Sequence, residues 1–280
     1  MKLNRLRRRM MRFSLTVSTL IAFSILAGVS VRYIHAASPS SMPSSDDAPR
    51  TPVLIELFTS EGCSSCPPAD ALLEKLDRSQ PVSGAELIVL SEHVDYWNDI
   101  GWKDPYSSRE YSERQSAYAA QFGLGGIYTP QMVIDGHYEL VGSDEQQAIR
   151  ALEKAVKLEK IQLMLSLFHI EEPNKLGVRV ETGPLPSSLA AKSANVFLAV
   201  ADESDESHVI RGENAGRTLK HVAVLRNLVP VGKVGRTENF SRNVTLNLDS
   251  GNRRDLRIVG IIQEPDAGRV LGAGSVRLSN

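Results

Sequence analysis

The pattern of apolar and polar positions over residues 53–159 predicts seven short elements. Continuous apolar runs bounded by Pro, Gly and polar residues indicate buried strands, whereas apolar residues spaced three and four apart indicate helices. The predicted order is strand, helix, strand, helix, strand, strand, helix, at residues 53–58, 66–78, 86–91, 107–122, 131–134, 137–141 and 143–159. Since a crossover helix joins parallel strands, this order predicts a small three-layer α/β domain.

Turn chemistry supports these boundaries. Ser107 and Ser143 each precede an acid or amide by three residues, as in a capping box that opens a helix. Asp135 and Gly136 form a dipeptide that is typical of a hairpin turn between the last two strands.

From residue 161 the pattern changes. Runs rich in Val, Ile and Leu are separated by Gly, Pro, Asn and Asp, and helical spacing is weak, at residues 161–170, 177–181, 196–200, 219–231, 244–248 and 256–263. This pattern predicts seven to eight strands in a sandwich-like domain. The predicted fold class is therefore an α/β N-terminal domain at 53–159, followed by a mostly β, sandwich-like C-terminal domain at 160–280.

The first 37 residues predict an export signal. A positive segment precedes an uncharged, mostly apolar stretch and small residues that suit cleavage. The apolar stretch is also long enough to span a bilayer, so a retained N-terminal anchor is the alternative. In both cases the body lies outside the cytoplasm, and we expect a periplasmic location in a bacterium. Residues 38–52, rich in Ser, Pro and Asp, indicate a linker.

Charge and composition narrow the possible functions. Hydrophobic residues make up 42% and charged residues 23% of the chain, which excludes a wholly disordered protein. The predicted signal, residues 1–37, contains seven of the 32 basic residues and no acidic residue. The remaining chain therefore has 25 basic and 33 acidic residues, a net charge of −8. Such an acidic body argues against nucleic acid as a partner. We expect contact with a membrane only if the N-terminal segment is retained.

The two cysteines, Cys63 and Cys66, lie where the first predicted strand meets the first helix. Two cysteines cannot staple a chain of this size or form a four-cysteine zinc site. At a helix N-terminus, however, free N–H groups favour a thiolate, the nucleophile of disulfide exchange. We expect Cys63 to be exposed at the helix start and Cys66 to lie deeper. A structural disulfide and a metal site are the alternatives.

Further residues are predicted to converge on this turn. Glu56 stands alone among apolar residues of the first strand, so it is a buried proton relay to Cys66, a paired acid or a residue on an exposed edge. Pro130 precedes a strand and is expected to be cis, which would place Thr129 against the sulfurs. After the second strand come His93, Asp95, Trp97 and, in the same loop, Trp102, which are candidates for a substrate groove or for loop capping and packing.

The segment LIELFTSEGCSSCPPAD, followed by YTPQMVIDG, resembles the thioredoxin superfamily. With HVDYWNDIGWKDP and RGENAGRTLKH, the chain also resembles a family of exported bacterial thioredoxin-like proteins of uncharacterised function. The resemblance implies a thioredoxin-like fold for residues 53–159. It also implies that Cys63 is the attacking thiol, Cys66 the resolving thiol, Glu56 the buried acid and Pro130 the cis-proline.

These observations predict an exported thiol–disulfide oxidoreductase, an enzyme that needs no cofactor. Its partners would be protein thiols or disulfides and an unidentified redox protein that resets the cysteine pair. One alternative is a copper metallochaperone with Cys63, Cys66 and His93 as ligands; otherwise we expect no metal. Another is a non-redox binding module with a structural disulfide. Residues 211–217 are interpreted as a solvated turn or a loop that binds a carboxylate.

Overall fold

The computed structural model describes residues 49–172, 174–248 and 255–279. The predicted export signal, residues 1–37, and most of the predicted linker lie outside the described residues. The described part contains eleven strands and three helices, which are, in chain order, β1 (Thr51–Thr59), α1 (Pro67–Ser79), β2 (Ala85–His93), α2 (Arg109–Phe122), β3 (Gln131–Ile134), β4 (Tyr138–Val141), α3 (Glu145–Ala155), β5 (Leu163–Phe168), β6 (Lys175–Thr182), β7 (Ser193–His208), β8 (Thr218–Gly235), β9 (Phe240–Asn247), β10 (Asp255–Gln263) and β11 (Val270–Ser279).

The seven elements predicted for residues 53–159 are all present in the predicted order. The residues that cap two helices differ by one position from the prediction. Ser108, not Ser107, accepts a hydrogen bond at the start of α2, from the amide of Glu110. Asp144 caps α3 through the amide of Gln147. Each cap satisfies an N–H group that has no partner within its helix.

Eight strands form one mixed sheet in the order β11-β10-β7-β8-β2-β1-β3-β4. β1 and β2 are parallel, with Thr59 opposite His93 at their ends. β3 runs antiparallel to β1 on its other side. On the far side of β2, the sheet continues into β8, where Val224 lies opposite Ser91 in a parallel bridge.

The predicted fold class is therefore wrong. The protein is mostly β, and strands from the second half of the chain extend the sheet that begins with β1 and β2. The principal core is shared as well, since Leu57 and Leu90 belong to the same buried cluster as Ala223 and Ile261. The change from mixed to all-β structure does fall between Ala155 and Leu163, but it does not separate an α/β domain from a second sheet.

A second, three-stranded sheet has the order β5-β6-β9. Its apolar residues, among them Val178, Val180 and Leu246, form a core with Leu198 and Ile258 of the large sheet. The distal strands of the large sheet are therefore covered by this small sheet. Among the described residues, no helix is long and apolar enough to cross a membrane.

The carboxyl ends of β1 and β2 place the candidate site. Parallel strands end at the same edge of a sheet, so the chain leaves both strands at neighbouring points. Here the amide of Val94, which follows β2, donates to the carbonyl oxygen of Thr59 at 2.9 Å. The cysteine turn that follows β1 and the loop that follows β2, residues 94–108, consequently start side by side.

Candidate functional site

A disulfide joins Cys63 to Cys66 in the turn between β1 and α1. Cys66 is the N-cap of α1, and Pro67 and Pro68 follow in the first turn, where a missing N–H costs the helix nothing. The Cys66 amide donates to the Cys63 carbonyl at 3.2 Å. Both cysteines have no exposed surface. The expectation that Cys63 would be exposed is therefore wrong.

Residues 209–217, called the strap below, cover this turn. The side-chain amide of Asn214 donates to two carbonyl oxygens of the turn, those of Glu61 at 2.8 Å and Cys63 at 3.0 Å. Asn214 is itself fully buried. A single side chain of the strap thus donates to two buried backbone acceptors of the turn, one of which, the Cys63 carbonyl, also accepts from the Cys66 amide.

Two further contacts hold the strap in place. The amide of Ser64, between the cysteines, donates to the carboxylate of Glu213 at 3.0 Å. Gly212 lies against Gly101 of the loop after β2, where an added Cβ on Gly101 would be 3.4 Å from the Gly212 Cα atom. Both glycines have positive φ, which other residues rarely adopt. The strap is therefore a cover for the cysteine turn, a role that neither interpretation of residues 211–217 included.

Five ionisable side chains gather beneath the cysteine turn, each at most 7% exposed. We call this group the acid–histidine cluster; it consists of Glu61, Asp70, His93, Asp104 and His221. The two imidazole rings meet edge to face, with their centroids 4.6 Å apart. Tyr106 packs against both rings at 5.3 and 5.7 Å.

The histidines are each oriented by a carboxylate. His93 Nδ1 lies 2.7 Å from Asp104 Oδ2, and His221 Nε2 lies 3.2 Å from Glu61 Oε1. His221 Nδ1 is 3.9 Å from Asp70 Oδ2. The other ring nitrogens, His93 Nε2 and His221 Nδ1, are buried and have no hydrogen-bond partner among the described residues. Each ring therefore keeps one nitrogen available for a proton.

Neighbouring elements lock the carboxylates of the acid–histidine cluster in place. The Trp102 indole donates to Glu61 at 2.7 Å, and the Glu61 amide donates to Asp104 at 2.8 Å. Thr59, at the end of β1, donates its hydroxyl to Asp70 at 2.8 Å. The cluster thus links the end of β1, α1, the end of β2, the following loop and β8.

The pKa values of the cluster reflect both burial and charge. Burial raises the pKa of Asp70, although His221 and His93 oppose the rise. Burial disfavours protonation of His93, but the carboxylates of Asp104, Asp70 and Glu61 outweigh it and raise the His93 pKa. Burial likewise works against ionisation of Asp104, but His93 outweighs it and lowers the Asp104 pKa. Both shifts favour a charged pair of protonated His93 and ionised Asp104.

Glu56 belongs to a second buried group, which we call the Arg114 cluster; it consists of Glu56, Glu92, Arg114, Tyr118 and Gln263. Glu56 accepts from Arg114 Nε at 2.6 Å and from the Tyr118 hydroxyl at 2.5 Å, one bond on each carboxylate oxygen. Glu92 lies 3.6 Å from Arg114. Burial, and then the Glu56 carboxylate, raises the pKa of Glu92 well above its usual range. These contacts favour the interpretation of Glu56 as a paired acid.

The Thr129–Pro130 peptide bond is cis, as predicted. The Thr129 hydroxyl accepts a hydrogen bond from the Trp97 indole at 2.8 Å. Trp97 in turn packs against Gly62, where an added Cβ would lie 3.0 Å from the Trp97 Cβ. Trp97 therefore connects the residue before the cis-proline with the residue before Cys63.

The remaining predicted site residues have defined partners. Asp95 accepts from the Ser112 hydroxyl of α2 at 2.5 Å, which is a loop-anchoring contact. His93 and Trp102 enter the acid–histidine cluster through Asp104 and Glu61. Among the described residues, no three His, Cys, Asp or Glu side chains are placed to hold one metal ion. The structure does not bring Cys63, Cys66 and His93 together as a copper site.

Sequence reasoning missed most of the acid–histidine cluster and the strap. Asp70 carried a usable signal, since it follows Cys66 by four residues and one helical turn places such residues on the same face. His221 ends the RGENAGRTLKH segment, which marks the resemblance but says nothing about its neighbours. Asp104 and Glu61 lie in loops, where residue spacing predicts no contact.

The amino-acid sequence matches a family described as Protein of unknown function (DUF1223) over residues 54–263. A solved protein of Agrobacterium tumefaciens is similar in structure, with a TM-score of 0.60 and 24% identity over 82% of this chain and 96% of that one. HBP35 of Porphyromonas gingivalis has a TM-score of 0.58 and 14% identity over 82% of this chain and 76% of its own. Both likenesses concern the fold alone. No curated protein matches the chain.

Proposed function

The chain belongs to the DUF1223 family of proteins of unknown function, and we propose that it is an exported thiol–disulfide oxidoreductase. Cys63 and Cys66 would exchange disulfides with protein thiols or disulfides outside the cytoplasm, and a redox partner would reset the pair. The two sulfurs carry the electrons, so the reaction needs no organic cofactor. The export signal expected from residues 1–37 supports the location.

The observation that carries the proposal is the size of the ring that the disulfide closes. Cys63 and Cys66 are separated by three positions, at the point where a strand turns into a helix. In the chain-entropy treatment, a disulfide across so short a loop stabilises a fold by only about 2 kcal/mol, against about 3 kcal/mol for a 15-residue loop. A redox role therefore explains this disulfide better than a role in stapling the chain.

Local chemistry around the ring favours thiolate formation at Cys63. The cysteine turn lies at the N-terminus of α1, where the helix dipole favours negative charge. The Ser65 hydroxyl lies 3.3 Å from Cys63 Sγ and can donate to it. Cys66 is instead the N-cap of the helix and is followed by two prolines. This asymmetry supports Cys63 as the sulfur that forms the mixed disulfide.

The exchange proceeds in two steps. When the reduced pair oxidises, the Cys63 thiolate attacks a substrate disulfide, a bond between Cys63 and one substrate sulfur forms, and the other substrate sulfur leaves as a thiolate. Cys66 then loses its proton and attacks Cys63, which restores the Cys63–Cys66 bond and releases the second substrate thiolate. In the opposite direction, a substrate dithiol reduces the Cys63–Cys66 disulfide and is itself oxidised.

Access to the sulfurs requires the strap to move, because neither cysteine is exposed. The strap is held at the cysteine turn by the side chains of Asn214 and Glu213 and packs through Gly212 against the loop after β2, so these are the contacts that its displacement must break. The resemblance of residues 54–70 and 128–136 to the thioredoxin superfamily supports the same chemistry. This resemblance is limited to the sequence motifs, because the predicted fold class is wrong.

The burial of both sulfurs favours a second candidate, a non-redox binding module whose disulfide holds the turn beneath the strap. The reduction potential separates the two functions. We expect equilibration with dithiothreitol mixtures, followed by acid quenching and alkylation, to give a potential above roughly −300 mV, the upper limit typical of structural disulfides.

Trapping provides the complementary test. In the Cys66→Ser variant, a mixed disulfide on Cys63 cannot be resolved, so partner proteins from the native host should accumulate as covalent adducts. Cys63→Ser is the matched control and should trap far less. A potential well below the structural limit, together with no adduct on Cys63, would leave the binding module as the function.

A further inference from the structure

We propose that Asp70 is the proton donor and acceptor for Cys66, and that His221 passes this proton between Asp70 and solvent. The inference rests on the proposed exchange reaction and assigns its acid–base step to the acid–histidine cluster. In this role Asp70 replaces Glu56, because one carboxylate oxygen of Glu56 accepts from Arg114 and the other accepts from Tyr118.

Helix geometry brings Asp70 to Cys66. Cys66 has right-handed helical φ and ψ, and the Asp70 amide donates to its carbonyl oxygen at 3.1 Å, so the two residues are one turn apart on the same face. Helical side chains tilt toward the N-terminus, which directs the Asp70 carboxyl group back toward the turn that holds Cys66. Both residues are buried, with Cys66 at 0% and Asp70 at 7% exposure.

The surroundings of Asp70 suit a group that gains and loses a proton. Thr59 donates to one oxygen, and His221 Nδ1 approaches the other at 3.9 Å without a hydrogen-bond partner among the described residues. The other charges that act on Asp70 are His93 and Asp104. Burial raises the Asp70 pKa, so the protonated carboxyl group persists closer to neutral pH than in an exposed aspartate.

His221 gives this proton a way out. His221, whose side chain is 1% exposed, is among the residues that line a surface groove of about 610 Å³, together with Glu203, Asp205, Glu206 and Lys220. Glu61 holds the opposite ring nitrogen, Nε2, at 3.2 Å. A proton on Asp70 can therefore move to the His221 imidazole and then to water in the groove, without crossing the strap.

The step balances as follows. During oxidation, the Cys66 S–H bond breaks and its proton moves to the Asp70 carboxylate. The Cys66 sulfur forms a bond with Cys63, and the substrate sulfur leaves with the electron pair of the broken mixed disulfide and takes a proton from water. During reduction, the protonated Asp70 returns its proton to the departing Cys66 thiolate.

The first test measures the rate at which Cys66 resolves a mixed disulfide formed on Cys63, between about pH 6 and pH 10, a range that brackets the ordinary pKa of a thiol. Asp70→Asn should slow resolution by about 10²-fold at the acidic end, the lower range of general acid–base assistance. The rates should converge at the alkaline end, where the thiolate forms without help. Asp70→Glu should restore much of the rate.

Asp135→Asn is the matched control. Asp135 is also a buried aspartate, it pairs with Lys160, and its positive φ is well tolerated by Asn. Its rate profile should match that of the wild type. Damage to the fold would slow resolution equally at every pH, so a pH-independent loss in Asp70→Asn would overturn the proposal. So would an unchanged profile.

A second measurement does not depend on exchange. In a Cys63→Ser background, the ultraviolet absorbance of the thiolate reports the pKa of Cys66. Asp70→Asn should lower this pKa because it removes a neighbouring negative charge, whereas Asp135→Asn should not. An unchanged pKa would contradict the placement of Asp70 even if the protein exchanged no disulfide. A wild-type protein that forms no mixed disulfide would instead contradict the proposed function.

If Asp70→Asn does not fold, His221→Gln serves in its place. This variant should still allow proton transfer between Cys66 and Asp70 but should slow the transfer between Asp70 and solvent. The resolution rate should therefore fall less than in Asp70→Asn and should again converge with the wild-type rate at alkaline pH. A His221→Gln profile that matches the wild type would remove His221 from the path.

Discussion

Two groups of buried carboxylates lie at the carboxyl half of β1 and β2, and they differ in the cation that balances their negative charge. In the Arg114 cluster, two glutamates share one guanidinium, whose charge is permanent at any physiological pH. In the acid–histidine cluster, three carboxylates face two imidazoles, whose charge depends on pH. A permanent cation fixes a charge distribution, whereas imidazoles allow protons to enter and leave.

The two groups also differ in what covers them. The Arg114 cluster is closed by helix α2 and by Gln263 of β10, which donates to the Tyr118 hydroxyl at 2.8 Å. The acid–histidine cluster lies beside the cysteine turn, beneath the strap and next to a groove. Glu56, the acid proposed from the sequence as a proton relay, thus lies in the group with the permanent cation, whereas Asp70 lies in the group beside the cysteine turn.

Removal of the permanent cation should have the largest effect. Arg114→Met leaves Glu56 and Glu92 buried without their partner, so we expect a loss of about 3–5 kcal/mol in the free energy of unfolding, measured by urea denaturation. Arg109→Met on the same helix removes an exposed pair with Glu113 and should cost less than about 0.5 kcal/mol. Similar losses in both variants would show that the buried glutamates do not need Arg114.

The imidazole charge should give a pH-dependent effect. The His93 pKa is raised by Asp104, Asp70 and Glu61 against the effect of burial, so protonated His93 stabilises the fold below the ordinary histidine pKa. This contribution disappears as pH rises through the raised pKa. We expect His93→Gln to lose about 1.5–3 kcal/mol at low pH, the usual range for a hydrogen bond to a charged group, and less at high pH.

The measurement is urea denaturation at about pH 5.5 and about pH 9, on either side of the ordinary histidine pKa. The lower value keeps Asp104 ionised, because its pKa is depressed by His93 and its own contribution fails only as pH falls through that depressed value. His208→Gln, at an exposed histidine, is the control and should change little at either pH. A His93→Gln loss that grows with pH would contradict the ion pair.

The smallest expected effect on stability comes from the strap that covers the cysteine turn. Asn214→Ala removes the side-chain donor shared by the Glu61 and Cys63 carbonyls, although Cys63 keeps the Cys66 amide. It should cost about 1 kcal/mol in the free energy of unfolding and speed reduction of the disulfide by a phosphine. Glu213→Ala removes only an exposed carboxylate and should change the free energy of unfolding much less than Asn214→Ala does. If Asn214→Ala leaves the reduction rate unchanged, the strap does not control access to the sulfurs.

Local features of the sequence predicted local features of the structure. The periodicity of residues 53–159 predicted each helix and strand there because period and turn chemistry act over a few residues. The cysteine pair at the start of α1 was visible for the same reason, and the cis peptide before Gln131 was expected from a resemblance in motifs. The strand-rich character of the second half was also evident from its composition.

Only the tertiary structure decided how these elements combine. The free edge of β2 needs a partner, but the sequence of β2 does not say which strand provides it, and β8 does so from about 130 residues further along the chain. That pairing merges the two predicted domains and brings β8, with His221, into the site. The same holds for Glu56 and Asp70: both are buried acids near Cys63 in sequence, but their roles differ because Arg114 lies beside one and His221 beside the other.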